Sequence, residues 1–405
     1  MRGIYVHIPF CQHKCSYCDF YSVVQLQFTE QFVRALCQEV QLYAERMPEL
    51  AEQPIATVFL GGGTPSLLPL PQLEAIVRQL RALFPIAEDA EWSIEANPGT
   101  VDLERLRAIR ALGFRRISFG VQSFQEAELR FLERIHTPQE ARAAVEWAHA
   151  AGFDSINVDL MFAIPGQTLR SWERTLQEAL ALAPHHISAY SLIWEPGTPL
   201  YARWQRGEVH PVAEELDTQM YALVAQFLEA AGYVHYEVSN FARPGHCCRH
   251  NLLYWHGQEY LAVGPSAHGF LRGRRYWNVR SLHGYVRRIA AGELPIAGME
   301  QLSAWERLEE LLFLQLRSDG LRCRELHHAF GLDLFEAESE LFRQWEHAGW
   351  VRECSPERIW LNWRGYAIAD ELAADLIARA ERLWERYFGQ VGLPTLAVQS
   401  SLVEQ

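Results

Sequence analysis

Over the first 235 residues, short runs rich in β-branched and aromatic residues alternate with longer amphipathic stretches. The runs at 4–7, 57–60, 92–95, 116–119, 156–160 and 187–191 predict strands. The stretches at 30–43, 71–83, 103–112, 139–150 and 168–182 carry apolar residues at helical spacing and predict helices. Strands that each precede a helix read as parallel βα units. Six such units predict an α/β fold, a partial (β/α)6 barrel of the TIM type.

The polar and glycine-rich signals stand just after the predicted strands. Cys11 follows the first and Gly61-Gly62-Gly63-Thr64-Pro65 the second; Glu95 closes the third, Gln122 follows the fourth and Asp159 ends the fifth. Parallel βα architectures gather their chemistry at the carboxyl ends of the strands, so these five signals predict one shared rim. Beyond 192 a turn-rich connector and a helix at 213–230 lead into a polar, His-rich stretch. From 304 the pattern becomes helical, with Trp305, Leu308, Leu312 and Leu316 on one face. Helices at 324–330 and 334–348 precede a hairpin of 350–353 with 359–362, a small α+β unit like a winged helix. The expected division is a core barrel at 1–235, a connector at 236–300, a C-terminal domain at 301–385 and a flexible tail at 386–405.

Composition narrows the function. Net charge is −13 and no Lys/Arg run forms a nucleic-acid footprint, so no nucleic-acid partner is expected. No stretch approaches the length of an apolar membrane span, and the N-terminus lacks a signal core. A cytoplasmic protein follows, with peripheral membrane contact left open. Eight cysteines in 405 residues are too few for a disulfide scaffold. Three of them crowd into Cys11-x-x-x-Cys15-x-x-Cys18 and point to a metal centre. Zinc wants four ligands, and no matching second pair lies nearby. Three thiolates suit an iron–sulfur cubane with one iron open.

This triplet, with Tyr17 before its last cysteine and Tyr5-Val6-His7-Ile8-Pro9-Phe10 before its first, resembles the signature of the radical S-adenosylmethionine superfamily. The resemblance implies a [4Fe-4S] cluster on Cys11, Cys15 and Cys18, with S-adenosyl-L-methionine (SAM) chelating its open iron. It further implies that Tyr5, Tyr17, Gly62, Gly63, Thr64, Glu95, Gln122, Arg134 and Asp159 bind that cofactor. Glu95 and Asp159 would take ribose hydroxyls, and Arg134 the carboxylate.

Within the superfamily, segments 5–11, 61–65, 94–98, 120–124, 132–136 and 157–167 are similar to the branch containing HemN, the oxygen-independent coproporphyrinogen III dehydrogenase, and the haem chaperones of the HemW type. Two departures separate the chain from HemN: Phe20 stands where HemN has a fourth cysteine, and the long arm before the cluster motif is missing. His250-Asn251-Leu252-Leu253-Tyr254-Trp255 matches the HNxxYW motif of the chaperones. The resemblance therefore implies a protein that binds haem at His250, Asn251, Tyr254 and Trp255 and passes it to an apo-haemoprotein, with an axial histidine on a loop. His246, His256, His268, Cys247 and Cys248 are rival ligands. The alternative is an enzyme that oxidatively decarboxylates coproporphyrinogen III. Sequence leaves enzymatic activity, the acceptor, covalent or non-covalent attachment, and oligomeric state open.

Overall fold

The computed structural model describes residues 2–389. Strands β1 (Arg2–Ile8), β2 (Ile55–Gly62), β3 (Ile86–Ala96), β4 (Arg116–Gln122), β5 (Ser155–Phe162) and β6 (His186–Ser191) lie side by side in chain order, all parallel. Between them run α1 (Thr29–Arg46), α2 (Leu70–Leu83), α3 (Leu103–Ala111), α4 (Glu126–Phe131), α5 (Pro138–Ala150) and α6 (Leu169–Ala181). Helix starts are encoded locally. The Thr137 hydroxyl accepts from the Glu140 amide while the Glu140 carboxylate returns to Thr137, a capping box reinforced by Pro138. Asp102 caps α3 through the Arg105 amide.

Alternation along the strands builds two faces. Ile4, Val6 and Ile8 of β1, Val58 and Leu60 of β2, Ile117 and Phe119 of β4, and Ile156, Val158 and Leu160 of β5 are buried. The intervening positions carry Tyr5 and His7, Thr57 and Phe59, Arg116 and Ser118, Asn157 and Asp159. Register places Tyr5 beside Phe59, Ser118 beside Asn157, and Asn157 beside His186. Period-two geometry therefore turns one face to the helices and assembles a polar interior from the other. This is the expected partial barrel.

After α7 (Pro199–Gln205) and α8 (Glu214–Ala230), the chain adds β7 (Val234–Glu237) and β8 (Asn240–Ala242), antiparallel at the β6 edge. Helix α9 (Arg249–Trp255) follows. Strands β9 (Tyr260–Val263), β10 (His268–Leu271) and β11 (Arg274–Asn278), then α10 (Leu282–Ala290) and β12 (Ile296–Gln301), extend the sheet beyond β1, with β9 parallel to it. The stretch expected as a connector thus carries β8 to β11 and parts of β7 and β12, all in the same sheet. Their three to six residues, broken by glycines and charges, present too short an alternation to register as strands.

The C-terminal unit comprises α11 (Ala304–Leu316), α12 (Cys323–Phe330), α13 (Leu334–Ala337), α14 (Ser339–His347), the hairpin β13 (Val351–Cys354) with β14 (Ile359–Leu361), α15 (Trp363–Tyr366) and α16 (Ala369–Phe388). It has its own core around Leu312, Leu316, Trp345 and Leu376. The helix expected at 334–348 is two helices that meet at Glu338. Of the tail expected to be flexible, residues 386–388 close α16, and positions from 390 onward lie outside the described residues. Among the described residues no helix is long and apolar enough to cross a membrane.

Glu39 of α1 ties the added strands to the barrel. Its carboxylate accepts from the Gly264 amide at 2.8 Å, Asn278 Nδ2 at 2.8 Å and Tyr285 Oη at 2.6 Å. Burial pushes this acid up to about 7, against the pull of those three donors. A folded-state pKa above the unfolded value means that the bound proton stabilises the fold fully below the unfolded pKa. That contribution, at most about 3 kcal/mol, is lost as pH rises through 7. Glu39→Gln cannot titrate, so the drop in Tm between pH 5 and pH 8 is expected to be smaller in the variant than in the wild type. Parallel pH slopes in thermal melts would refute this.

Candidate cofactor and ligand site

The polar faces of the strands enclose a cavity of about 290 Å³. Near the carboxyl ends of the strands its wall holds Gly62 and Glu95; near the amino ends it holds Arg116, His186, His250 and Tyr254. Tyr5 and Phe59 lie between, their rings stacked with centroids 6.2 Å apart. Phe20, 70% exposed, stands at the cavity wall from the cysteine loop.

The three motif cysteines follow β1 directly. Backbone bonds shape their loop: the Cys11 amide donates to Val23 O at 3.0 Å and the Cys18 amide to Cys15 O at 3.2 Å. The thiols lie close enough to influence one another. Burial pushes Cys18 up to about 11, and the neighbouring Cys15 and Cys11 add to that rise. Thr64 Oγ1 donates to Cys11 Sγ at 3.8 Å, and Arg134 Nη1 to Cys15 Sγ at 3.4 Å. The donor set fits a cluster of several irons: thiolates that each ligate a different iron need not converge on one point, as ligands of a single zinc must. Among the described residues no three His, Cys, Asp or Glu side chains converge in that way.

Beside this loop lies a close-fitting backbone cradle. The Gly63 amide donates to Ile8 O at 2.9 Å, and a Cβ on Gly63 would meet Phe10 O at 2.6 Å. Gly62 adopts φ +107°, where a Cβ would strike the His7 ring. The Gly62 amide donates to Glu95 Oε2 at 2.9 Å. Burial and the nearby Asp159 carboxylate push Glu95 up to about 8, and Asp159 itself is raised by burial. Two carboxyl groups so placed accept hydroxyl donors well. Arg134 Nη2 donates to Asn97 Oδ1 at 2.5 Å and Gly120 O at 2.6 Å, while its buried Nε has no partner in the structure. Gln122, at the end of β4, takes a left-handed φ of 66°, a conformation that strains a residue with a side chain and recurs at ligand sites. Tyr17 packs with Leu132 and Met161 in a small separate core. Tyr5 Oη lies 3.1 Å from His7 Nδ1.

Of the residues expected at the cofactor, Tyr5, Gly62, Glu95 and Asp159 share the cavity wall; Thr64 and Arg134 reach the motif sulfurs instead, and Tyr17, Gly63 and Gln122 are not on that wall. Asp159, expected at a strand end, is the fifth of eight residues in β5 and points into the barrel interior. The second half of the cavity holds a larger correction. His250 is not on a loop but in α9, 1% exposed, at the amino ends of β1 and β2. Thr57 Oγ1 lies 2.8 Å from His250 Nδ1, and Tyr254 Oη lies 2.8 Å from Nε2. The ring stacks on Phe59 at 5.2 Å. Burial pushes its pKa down to about 3, so the imidazole is neutral. Asn251 and Tyr254 join it on the cavity wall, and Trp255 lies outside that wall.

The rivals are held in other ways. Buried Cys248 donates Sγ–H toward Glu91 Oε1 at 3.7 Å, and His256 Nε2 lies 2.6 Å from Asp319 of the C-terminal unit. His268 is exposed beside Trp277. Half-buried His246 faces His185, with ring centroids 4.6 Å apart. Cys247 is half-buried.

Several residues here went unread in the sequence: Glu91, Arg116, Ser118, Asn157, His186, Ser188 and Tyr236. The signal was present as alternation, since His186, Ser188 and Tyr190 recur every second residue of β6, as do Asn157 and Asp159 of β5. Polar residues at that spacing in a strand whose other face is apolar mark a polar lumen.

Comparison with known proteins adds the lineage. The model of the radical SAM superfamily matches residues 5–179, and that of the HemN C-terminal domain matches residues 302–368. The heme chaperone HemW of Bacillus subtilis is 34% identical over 375 residues, which cover 92% of this chain and 98% of that protein. The heme chaperone HemW of Escherichia coli is 40% identical over 275 residues, 66% of this chain and 69% of that one. Among solved structures, coproporphyrinogen III oxidase (HemN) of Escherichia coli superposes with a TM-score of 0.77 at 24% identity, covering 93% and 89% of the two chains, and shares the fold.

Proposed function

The chain belongs to the HemW family of haem chaperones in the radical SAM superfamily. From that premise we propose that it binds haem and hands it to apo-haemoproteins in the cytoplasm, with a [4Fe-4S] cluster and SAM bound at the barrel's upper rim. The observation that carries the reading is the placement of the HNxxYW residues His250, Asn251 and Tyr254 on the same cavity as Gly62, Glu95 and Asp159. One polar lumen thus joins the cofactor end to the proposed haem end.

Cys11, Cys15 and Cys18 would hold the cluster, with Thr64 and Arg134 donating to two of the sulfurs. Gly62 and Gly63 would let the cofactor approach the backbone, and Glu95 and Asp159 would accept its hydroxyls. When bound, this pair supplies an open iron and a sulfonium that one electron can cleave. The protein's part is to position both, and within the loop it buries Cys15 and Ser16. At the floor, His250 offers a neutral imidazole, the form that haem iron requires. Its two nitrogens already face Thr57 and Tyr254, so ligation requires α9 to give up the Tyr254 bond.

The competing reading, decarboxylation of coproporphyrinogen III, is favoured by the HemN-like fold alone. Anaerobic haem titration of the cluster-loaded protein, followed by absorbance, is expected to show saturable binding and transfer to an apo-haemoprotein. A parallel assay with coproporphyrinogen III, SAM and reductant is expected to show no protoporphyrinogen. Turnover without saturable haem binding would replace the chaperone reading with the enzymatic one.

A further inference from the structure

A hydrogen-bonded chain runs the depth of the lumen. Asn157 Nδ2 donates to Asp159 Oδ1 at 2.7 Å, which leaves Asn157 Oδ1 to accept. It accepts from His186 Nδ1 at 2.6 Å. With the proton on Nδ1, His186 Nε2 is the acceptor for Tyr236 Oη at 2.8 Å. Tyr236 Oη in turn accepts from the Cys248 amide at 3.2 Å. Cys248 is the residue that opens α9.

Every donor in this chain points from α9 toward Asp159. Asn157, His186, Tyr236 and Cys248 are all buried, so water does not compete for these bonds. Burial holds the His186 imidazole neutral, so one ring nitrogen donates while the other accepts, as the chain needs. None of these links is needed to hold the strands together, because Asn157 and His186 already pair through the backbone of β5 and β6.

We propose that His186 and Tyr236 are positioning residues that link the cofactor end of the lumen to the His250 helix, so that SAM and haem bind with negative coupling. This rests on the haem reading above. The direction follows from the chain's polarity. Asp159 supplied with hydroxyl donors stays ionised, and an ionised acceptor strengthens the Asn157 bond and those behind it. A tighter chain holds the start of α9 against the floor, whereas His250 reaches iron only if α9 loosens. Linkage makes the effect reciprocal: haem weakens cofactor binding by the same factor.

The test is an anaerobic haem titration of cluster-loaded protein without reductant, with and without saturating SAM, in wild type, Tyr236→Phe and His186→Leu. The wild-type haem Kd is expected to rise about five- to twentyfold with the cofactor. In both variants the ratio is expected to fall to about one. Hydrogen exchange of the 249–255 amides gives a readout independent of haem: the cofactor is expected to slow it in the wild type and not in the variants. A wild-type haem affinity indifferent to the cofactor, or a ratio that survives in both variants, overturns the link. If the wild type binds no haem, the haem reading fails by itself; the exchange data then decide the link, slowing confined to the wild type supporting it and unchanged exchange overturning it.

Discussion

Replacing Cys15 by serine is expected to abolish the brown chromophore of anaerobically reconstituted protein and to bring iron and sulfide to background, while far-UV circular dichroism stays unchanged. Iron–sulfur clusters are held by soft thiolates, and a serine hydroxyl is a hard, protonated substitute at neutral pH. Only three cysteines occupy the loop, so losing one removes a third of the protein's hold on the cluster. The barrel has little stake in this side chain. Cys15 is 8% exposed and receives one long bond, from Arg134, whose other nitrogen remains bound to Asn97 and Gly120. Serine keeps the size and can accept that bond, so the cost to the fold is about 1 kcal/mol. Iron and sulfide contents equal to those of the wild type would refute the ligand assignment.

The barrel was readable because it repeats. Six strands with helices behind them leave a long periodic record, and each expected strand forms within the bounds of a real one. The rim was readable for a related reason, since glycine and polar residues interrupt that record just after the strands. The strands from β7 to β12 were not, because a strand of three to six residues offers too few alternations to outvote its turns. The floor was misread for a physical reason. A histidine beside an asparagine and two aromatics suggested a loop, but the apolar residues Leu252 and Leu253 and the capping carboxylate of Glu91 make it a helix. Glu91 accepts from the amides of Arg249 and His250 at 3.1 Å each, a contact across more than 150 positions that local pattern cannot reveal. Gly3 adds to it: a Cβ there would meet a Leu253 methyl at 2.5 Å and His250 Cε1 at 3.2 Å, so only glycine lets α9 sit so close to β1.

That floor makes His250→Ala the most informative substitution after the cysteine. The change removes a ring stacked on Phe59 and edge-on to Tyr254, and it strips Thr57 and Tyr254 of a shared partner. A buried cavity with two orphaned hydroxyls is expected to cost about 3 kcal/mol, read as a Tm lower by several degrees. Haem affinity is expected to fall at least about tenfold with a shifted absorbance band, since an axial imidazole is lost. Collapse of the floor could produce the affinity loss too, so added imidazole separates the two causes. The emptied space can admit free imidazole, and restoration of the wild-type band by it would identify the missing nitrogen as the iron ligand. A variant that melts early yet binds haem with wild-type affinity and spectrum would leave His250 as a floor residue alone. The ligand would then be sought at half-buried His246, whose ring carries no comparable pair of hydrogen bonds.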